Sequence, residues 1–193
     1  MLQADPNFLN CEDSMNQYLK SIEDHFAPIP YESAKTSPDD MNEQTITEHR
    51  KCKVKFSTDI NISKPLYDYV NSFNSFYLGF HLYPQAVEMQ YTTYEGTEGG
   101  HFDWHIDQPL VSHKASQRKI AITLQLSNRG TDYEGADFQV EHPADCKIHT
   151  MPEHSYKKGA LLLFPALYKH RVEPVTKGTR NSLVCWFHGK PWS

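Results

Sequence analysis

The sequence predicts a mainly β fold with flanking helices, an antiparallel sandwich or barrel with the helices packed outside it. Two observations carry this. Apolar residues recur at helical spacing in the first 75 or so residues, whereas from Tyr77 onward the apolar segments are short and separated by turn residues. Helices and strands also do not alternate as a βαβ series would, which argues against a parallel sheet.

The elements follow in order. In residues 1–30, Leu9, Met15, Leu19, Ile22 and Phe26 fall on one helical face, and Pro28 and Pro30 close the segment. Residues 31–48 are polar, carry the turn signal Ser37-Pro38-Asp39-Asp40 and show no apolar period, so they form a long loop and a candidate substrate lid. Lys53-Val54-Lys55-Phe56 is a candidate edge strand. Residues 63–74 read as a helix with Pro65 in its first turn. Strands are then expected at Tyr77–Leu82, Val87–Tyr91, Ile120–Leu126, Asp137–Val140, Ala160–Phe164 and Ser182–Phe187.

A chain of 193 residues fits one domain with a real core. Its 38% hydrophobic and 12% aromatic content suits a compact fold with long polar loops. A net charge of -5 with scattered Lys and Arg argues against a nucleic-acid-binding surface. No apolar run reaches the roughly 18 residues of a membrane span, and the first residues lack the pattern of a signal peptide. Cys11, Cys52, Cys146 and Cys185 are far apart and form no CxxC pair, which favours reduced thiols and a cytoplasmic setting.

The chemistry concentrates in Trp104-His105-Ile106-Asp107 and in His170 and Arg180 far downstream. Residues two apart on a strand share a face, so His105 and Asp107 can reach one metal ion from a strand end. A third ligand must come from elsewhere, and His170 sits just beyond the Ala160–Phe164 strand. Two imidazoles and a carboxylate occupy one face of an Fe(II) ion and leave the other open, and the absence of thiolates disfavours structural zinc. Arg180, ten residues after His170, is placed to receive a carboxylate in a planar, permanently charged fork. A turn at Lys177-Gly178 would set His170 and Arg180 on neighbouring strands. His101-Phe102-Asp103 is a rival metal pair, and His101 otherwise lines the pocket mouth. Trp186 shares strand parity with Arg180, so it either walls the pocket or fills the core.

From about Asn71 to the C-terminus the chain resembles the 2-oxoglutarate and Fe(II)-dependent dioxygenases, in particular the prolyl 4-hydroxylase-like branch. The landmarks are Tyr94-Glu95-Gly96, Gly99-Gly100-His101-Phe102 leading into Trp104-His105-Ile106-Asp107, Arg118 before Thr123-Leu124-Gln125-Leu126-Ser127, Asp132 to Phe138, Gly159 to Pro165, and the series His170, Val172, Pro174, Val175, Thr176, Gly178, Arg180. The resemblance implies a double-stranded β-helix (jelly-roll) core in residues 71–193 behind a helical and loop part in 1–70, together one domain spanning 1–193. It implies His105, Asp107 and His170 as iron ligands and Arg180 as the anchor of the distal carboxylate of 2-oxoglutarate. Gln125, where related enzymes often carry a tyrosine, and Tyr94 complete that pocket, with Trp186 and His101 as candidate substrate residues. The expected reaction consumes 2-oxoglutarate and O2, hydroxylates a C–H bond and yields succinate and CO2, with ascorbate a further candidate cofactor. The expected substrate is a prolyl residue in a peptide or protein. The alternatives are a free amino acid or other small molecule, or a non-catalytic module that binds 2-oxoglutarate and metal.

Overall fold

The computed structural model describes residues 3–6, 8–34, 48–84, 87–108 and 115–191. Among them the strands are β1 (Gln3–Asp5), β2 (Glu32–Ser33), β3 (Arg50–Lys51), β4 (Lys53–Ser57), β5 (Glu88–Glu95), β6 (His101–His105), β7 (Gln117–Gln125), β8 (Tyr133–Gly135), β9 (Phe138–Glu141), β10 (Ile148–Thr150), β11 (Leu161–Pro165), β12 (Lys169–Val172) and β13 (Val175–Gly189). The two longest helices are α1 (Glu12–Phe26) and α2 (Ile60–Tyr77).

The strands form two sheets. The major one runs β1-β11-β7-β13-β5-β4-β2, with β8 attached to β13, and the minor one runs β10-β9-β12-β6-β3. Every named strand pair is antiparallel. Two facing antiparallel sheets with helices outside make a double-stranded β-helix, as the sequence predicts.

Strand alternation sorts the core into two layers. Met89, Ile120, Ile122, Leu124, Leu161, Leu163, Leu183, Cys185 and Phe187 turn to one face of the major sheet. There they meet Met15, Leu19, Ile22 and Phe26 of α1 and Leu66 and Val70 of α2. The opposite face contributes Tyr94, Ala121, Leu162, Phe164 and Trp186, which meet Phe138, Val140 and Val172 of the minor sheet. The helices therefore close one side of the major sheet, and the other side is free to build a site.

Four local expectations need correction. Gln3–Asp5, inside the segment read as helical, is a strand on the edge of the major sheet, too short to show a period. α2 begins at Ile60 because the Asp59 carboxylate caps it by accepting from the Asn61 amide at 2.8 Å, so Pro65 lies in the second turn. Tyr77–Leu82 is not a strand. The helix runs through Tyr77 and ends as the amides of Leu78 and Gly79 both bond the Asn74 carbonyl, Gly79 taking φ +68°, so that only Leu82 bridges the sheet. No reversal occurs at Lys177-Gly178 either. Both lie within β13, where Gly178 at φ +71° passes so close to the Asp132 carbonyl that a side chain there would collide with it. The connection is instead Glu173-Pro174, which carries the chain from the minor sheet to the major one. Of the candidate lid, Glu32–Ser33 is a strand paired with β4, and residues 35–47 lie outside the described residues.

Candidate active site

His105 ends β6 and His170 lies on β12, and the two are direct partners across the antiparallel ladder, so the second histidine arrives beside the first within the minor sheet. Their rings are 4.2 Å apart between centroids. Asp107 follows in the bend after β6, where its own amide and that of Gln108 both donate to the Ala166 carbonyl at 3.1 Å. This anchors the bend to the end of β11. The Nε2 atoms of His105 and His170 each stand 3.8 Å from an oxygen of the Asp107 carboxylate.

The orientation of both rings follows from their other contacts. His105 Nδ1 lies 2.7 Å from the Asp103 carbonyl and His170 Nδ1 lies 2.8 Å from the Tyr168 carbonyl. A carbonyl only accepts, so each Nδ1 carries a hydrogen and each Nε2 is the nitrogen turned to the space beside Asp107. Burial, and then the neighbouring His170, hold His105 well below the ordinary imidazole range, which keeps it neutral. Asp107 Oδ2 is buried without a hydrogen-bond partner. Two imidazole nitrogens and an orphaned carboxylate oxygen, one atom from each residue and all within 4.8 Å of one another, fit a divalent cation.

A second set of side chains faces this cluster from the major sheet. Arg180 is 1% exposed and lies opposite Tyr94 on β5, whose ring centroid is 5.4 Å from its guanidinium carbon. The guanidinium donates to Gln125 Oε1 at 3.0 Å, while Arg180 Nε and Gln125 Nε2 have no acceptor. Burial pushes the Tyr94 phenol up, so it remains a neutral hydroxyl. Arg180, Ser182, Val184 and Trp186, all of one strand parity, line one cavity together with Gln90, Tyr94 and Thr123, and across from them stand His105, Asp107 and His170. Buried donors without partners on the major sheet and a carboxylate oxygen without one beside the two histidines thus belong to the same site. That arrangement suits a dianion of which one end reaches the metal and the other the arginine.

Phe102 stacks on the His105 ring with centroids 3.4 Å apart and an interplanar angle of 10°, and Phe138 and Phe164 pack against His170. The Phe102 stack depends on a β-bulge: His105 pairs with His170 but Phe102 pairs with Val172, so three steps on β6 match two on β12. The bulge inverts parity between residues 102 and 105. For that reason His101, expected on the same face as His105, stands apart from the cavity lining. Its ring nitrogens lie 2.9 Å from the Gly99 carbonyl and 2.8 Å from that of Glu48. Trp186 does wall the cavity, with the Arg118 guanidinium carbon 3.8 Å from its ring and its Nε1 hydrogen unpaired. Sequence reading missed Arg50, which lines the cavity from the two-residue strand β3. A strand that short has no periodic signal, and His49-Arg50-Lys51 reads as surface charge.

A model of the 2OG-Fe(II) oxygenase superfamily matches residues 89–188, just over half of the chain. The chain belongs to this superfamily. A PKHD-type hydroxylase of Synechococcus sp. (strain JA-2-3B'a(2-13)) is 36% identical over 90 residues, 46% of this chain and 38% of that protein. The chain therefore matches about two-fifths of the length of such curated relatives. Among solved structures, a Pseudomonas putida prolyl-4-hydroxylase superposes over 100% of this chain and 93% of its own with TM-score 0.69 at 16% identity. A Trichoplax adhaerens prolyl hydroxylase, in complex with a hypoxia inducible factor peptide fragment, superposes over 96% and 82% with the same score and identity. At such identity these structures speak for the fold, which is the jelly-roll described. Among the described residues no helix is long and apolar enough to cross a membrane.

Proposed function

We propose that this chain is an Fe(II)- and 2-oxoglutarate-dependent dioxygenase that hydroxylates a prolyl residue of a peptide or protein. One observation carries the reading: a three-ligand cluster with an orphaned carboxylate oxygen shares its cavity with a fully buried guanidinium that has an orphaned N–H. When bound, Fe(II) and 2-oxoglutarate supply the oxidation, with one atom of O2 entering succinate, the other entering the substrate C–H bond, and CO2 released.

The protein's part is positional. The carbonyls of Asp103 and Tyr168 fix the two imidazoles with Nε2 toward the ion, and Asp107 supplies the third ligand. Arg180 takes the distal carboxylate of 2-oxoglutarate in a charge-assisted pair, with Tyr94 beneath it and the Gln125 amide as a second donor. Phe102, Phe138, Phe164, Val172 and Trp186 keep water from the reacting centre. The prolyl assignment draws its support from the relatives, two of which are prolyl hydroxylases of the same fold and one of which holds a peptide. A cytoplasmic setting, with neither nucleic acid nor membrane as partner, belongs to the same proposal, and the four cysteines are free thiols.

The experiment is aerobic incubation with Fe(II), ascorbate and 2-oxoglutarate, with and without proline-containing peptides, following succinate and the mass of the peptide. Peptide-stimulated succinate with one oxygen added at proline is the expected result. Stimulation by free amino acids alone would move the substrate to the small-molecule class, and no succinate from folded, iron-loaded protein would reject the oxygenase.

A further inference from the structure

Arg50 is a charge that the proposed reaction leaves without a partner. It is 8% exposed and lines the same cavity as His105, Asp107 and Arg180. Its guanidinium carbon lies 4.3 Å from the centroid of Phe102, and its Nε donates to the Cys52 sulfur at 3.1 Å. Among the described residues no carboxylate lies within ion-pair distance of it. Cys52 does not serve as a counter-ion, because burial pushes its thiol up and keeps it protonated. A buried cation whose contacts among the described residues are an aromatic face and a thiol is costly to keep unpaired, so its position implies an anion that arrives with a ligand.

Charge accounting indicates which ligand. The cavity holds two guanidiniums, the two imidazoles that would ligate the ion, and the single carboxylate of Asp107. A divalent ion with 2-oxoglutarate adds no net charge, and the two keto-acid carboxylates are taken by the ion and by Arg180. One positive charge remains, and it sits on Arg50. We infer that Arg50 is a specificity residue that receives a carboxylate of the primary substrate, so the hydroxylated molecule carries an acidic group close to the oxidised carbon. This inference rests on the dioxygenase reading and narrows its substrate class. A neutral prolyl residue between neutral neighbours would leave Arg50 unpaired in the closed complex. The carboxylate comes either from an acidic residue beside the target in a peptide or from the α-carboxylate of a free amino acid.

The test is a binding titration on protein loaded with Mn(II) and 2-oxoglutarate under exclusion of oxygen, which needs no turnover. The probes are matched pairs: acetylated proline peptides with Asp or Glu beside the proline against the same peptides with Asn or Gln, and L-proline against L-prolinamide. At least one acidic member should bind about tenfold or more tighter than its amide, and the pair that discriminates identifies the source of the carboxylate. Arg50→Gln should abolish that preference while leaving Mn(II) and 2-oxoglutarate affinity within about twofold, and Arg50→Lys should keep part of it. Because the probe pairs act on the wild-type protein, a failure of the variant to fold does not spoil the test. Equal binding of acid and amide in every pair, or no binding by any acidic probe, overturns the inference. So does an Arg50→Gln loss of 2-oxoglutarate affinity as large as that of Arg180→Gln, which would make Arg50 part of the keto-acid site. Protein that binds neither Mn(II) nor 2-oxoglutarate would overturn the dioxygenase reading itself, and this inference with it.

Discussion

The two faces of the major sheet come from alternate residues of the same strands, yet they obey different rules. On β13, Leu183, Cys185 and Phe187 enter a dry core under α1 and α2, whereas Arg180, Ser182 and Trp186 enter the cavity. Ser182 Oγ, Trp186 Nε1 and Arg180 Nε are all buried without partners, as are Asp107 Oδ2 and Gln125 Nε2 close by. The helix-side face is mostly hydrocarbon, and its polar groups are paired, as Tyr18 Oη donating to the Ile62 carbonyl at 2.6 Å shows. Among the described residues the cavity-side face carries buried polar groups without partners, which a bound ligand can satisfy, and the first face supplies the stability that the second gives up.

The contrast can be broken at several points. The largest effect is expected from Asp107→Ala, which should lower succinate formation by about 1,000-fold or more and abolish tight Fe(II) binding, with a circular dichroism spectrum unchanged. Activity within tenfold of wild type would dismiss the metal assignment. Next comes the helix-side face: Ile122→Ala should cost about 2–5 kcal/mol of unfolding free energy in urea and leave turnover per folded molecule unchanged, since Ile122 is fully buried away from the cavity.

Arg180→Met sharpens the comparison because the two properties should move in opposite directions. Replacing a buried, incompletely paired cation by a side chain of similar volume should raise the stability of the ligand-free protein by about 1 kcal/mol or more. The same change should weaken 2-oxoglutarate by about 2–3 kcal/mol in calorimetry. A variant that is less stable yet binds 2-oxoglutarate normally would reverse the assignment of this face.

A smaller effect concerns pH. His105 is held well below its ordinary value by burial and by His170, so below an unfolded-chain value of about 6.5 the unfolded state takes up a proton that the folded state refuses. Metal-free protein should keep its full stability above about pH 6.5 and lose it progressively as the pH falls from there, with His105→Gln flattening the slope in urea titrations at each pH. The smallest change belongs to the surface. Lys20→Ala removes the exposed, solvent-screened pair with Asp24 on α1 and should leave the urea unfolding midpoint essentially unchanged, unlike any substitution on either buried face.

The sequence made the ingredients of the site legible where chemistry imposes residue type. His105, Asp107, His170 and Arg180 stand out because few other combinations supply two imidazoles, a carboxylate and a fixed cation in that order, and Trp186 followed from strand parity with Arg180. Where parity failed, so did the reading. The bulge between β6 and β12 brings Phe102 onto His105 and leaves His101 on backbone carbonyls, and a bulge leaves no mark in an alternating pattern. Tyr77–Leu82 was misread as a strand because its aromatic composition outweighed Gly79, whose left-handed backbone and the Asn74 bonds end α2 there.

By itself, then, the sequence determined the antiparallel class, a helix in each of the two segments read as helical and the residues of the candidate site, all of which depend on residue type and local period. Only the tertiary structure decided that His170 lies beside His105 while Arg180 comes from the opposite sheet, and that Arg50 enters their cavity from a two-residue strand far away in the chain. Those placements depend on register, on a bulge and on the short connection at Glu173-Pro174. They are fixed by which backbone groups pair across the fold, and no local stretch of sequence encodes that pairing.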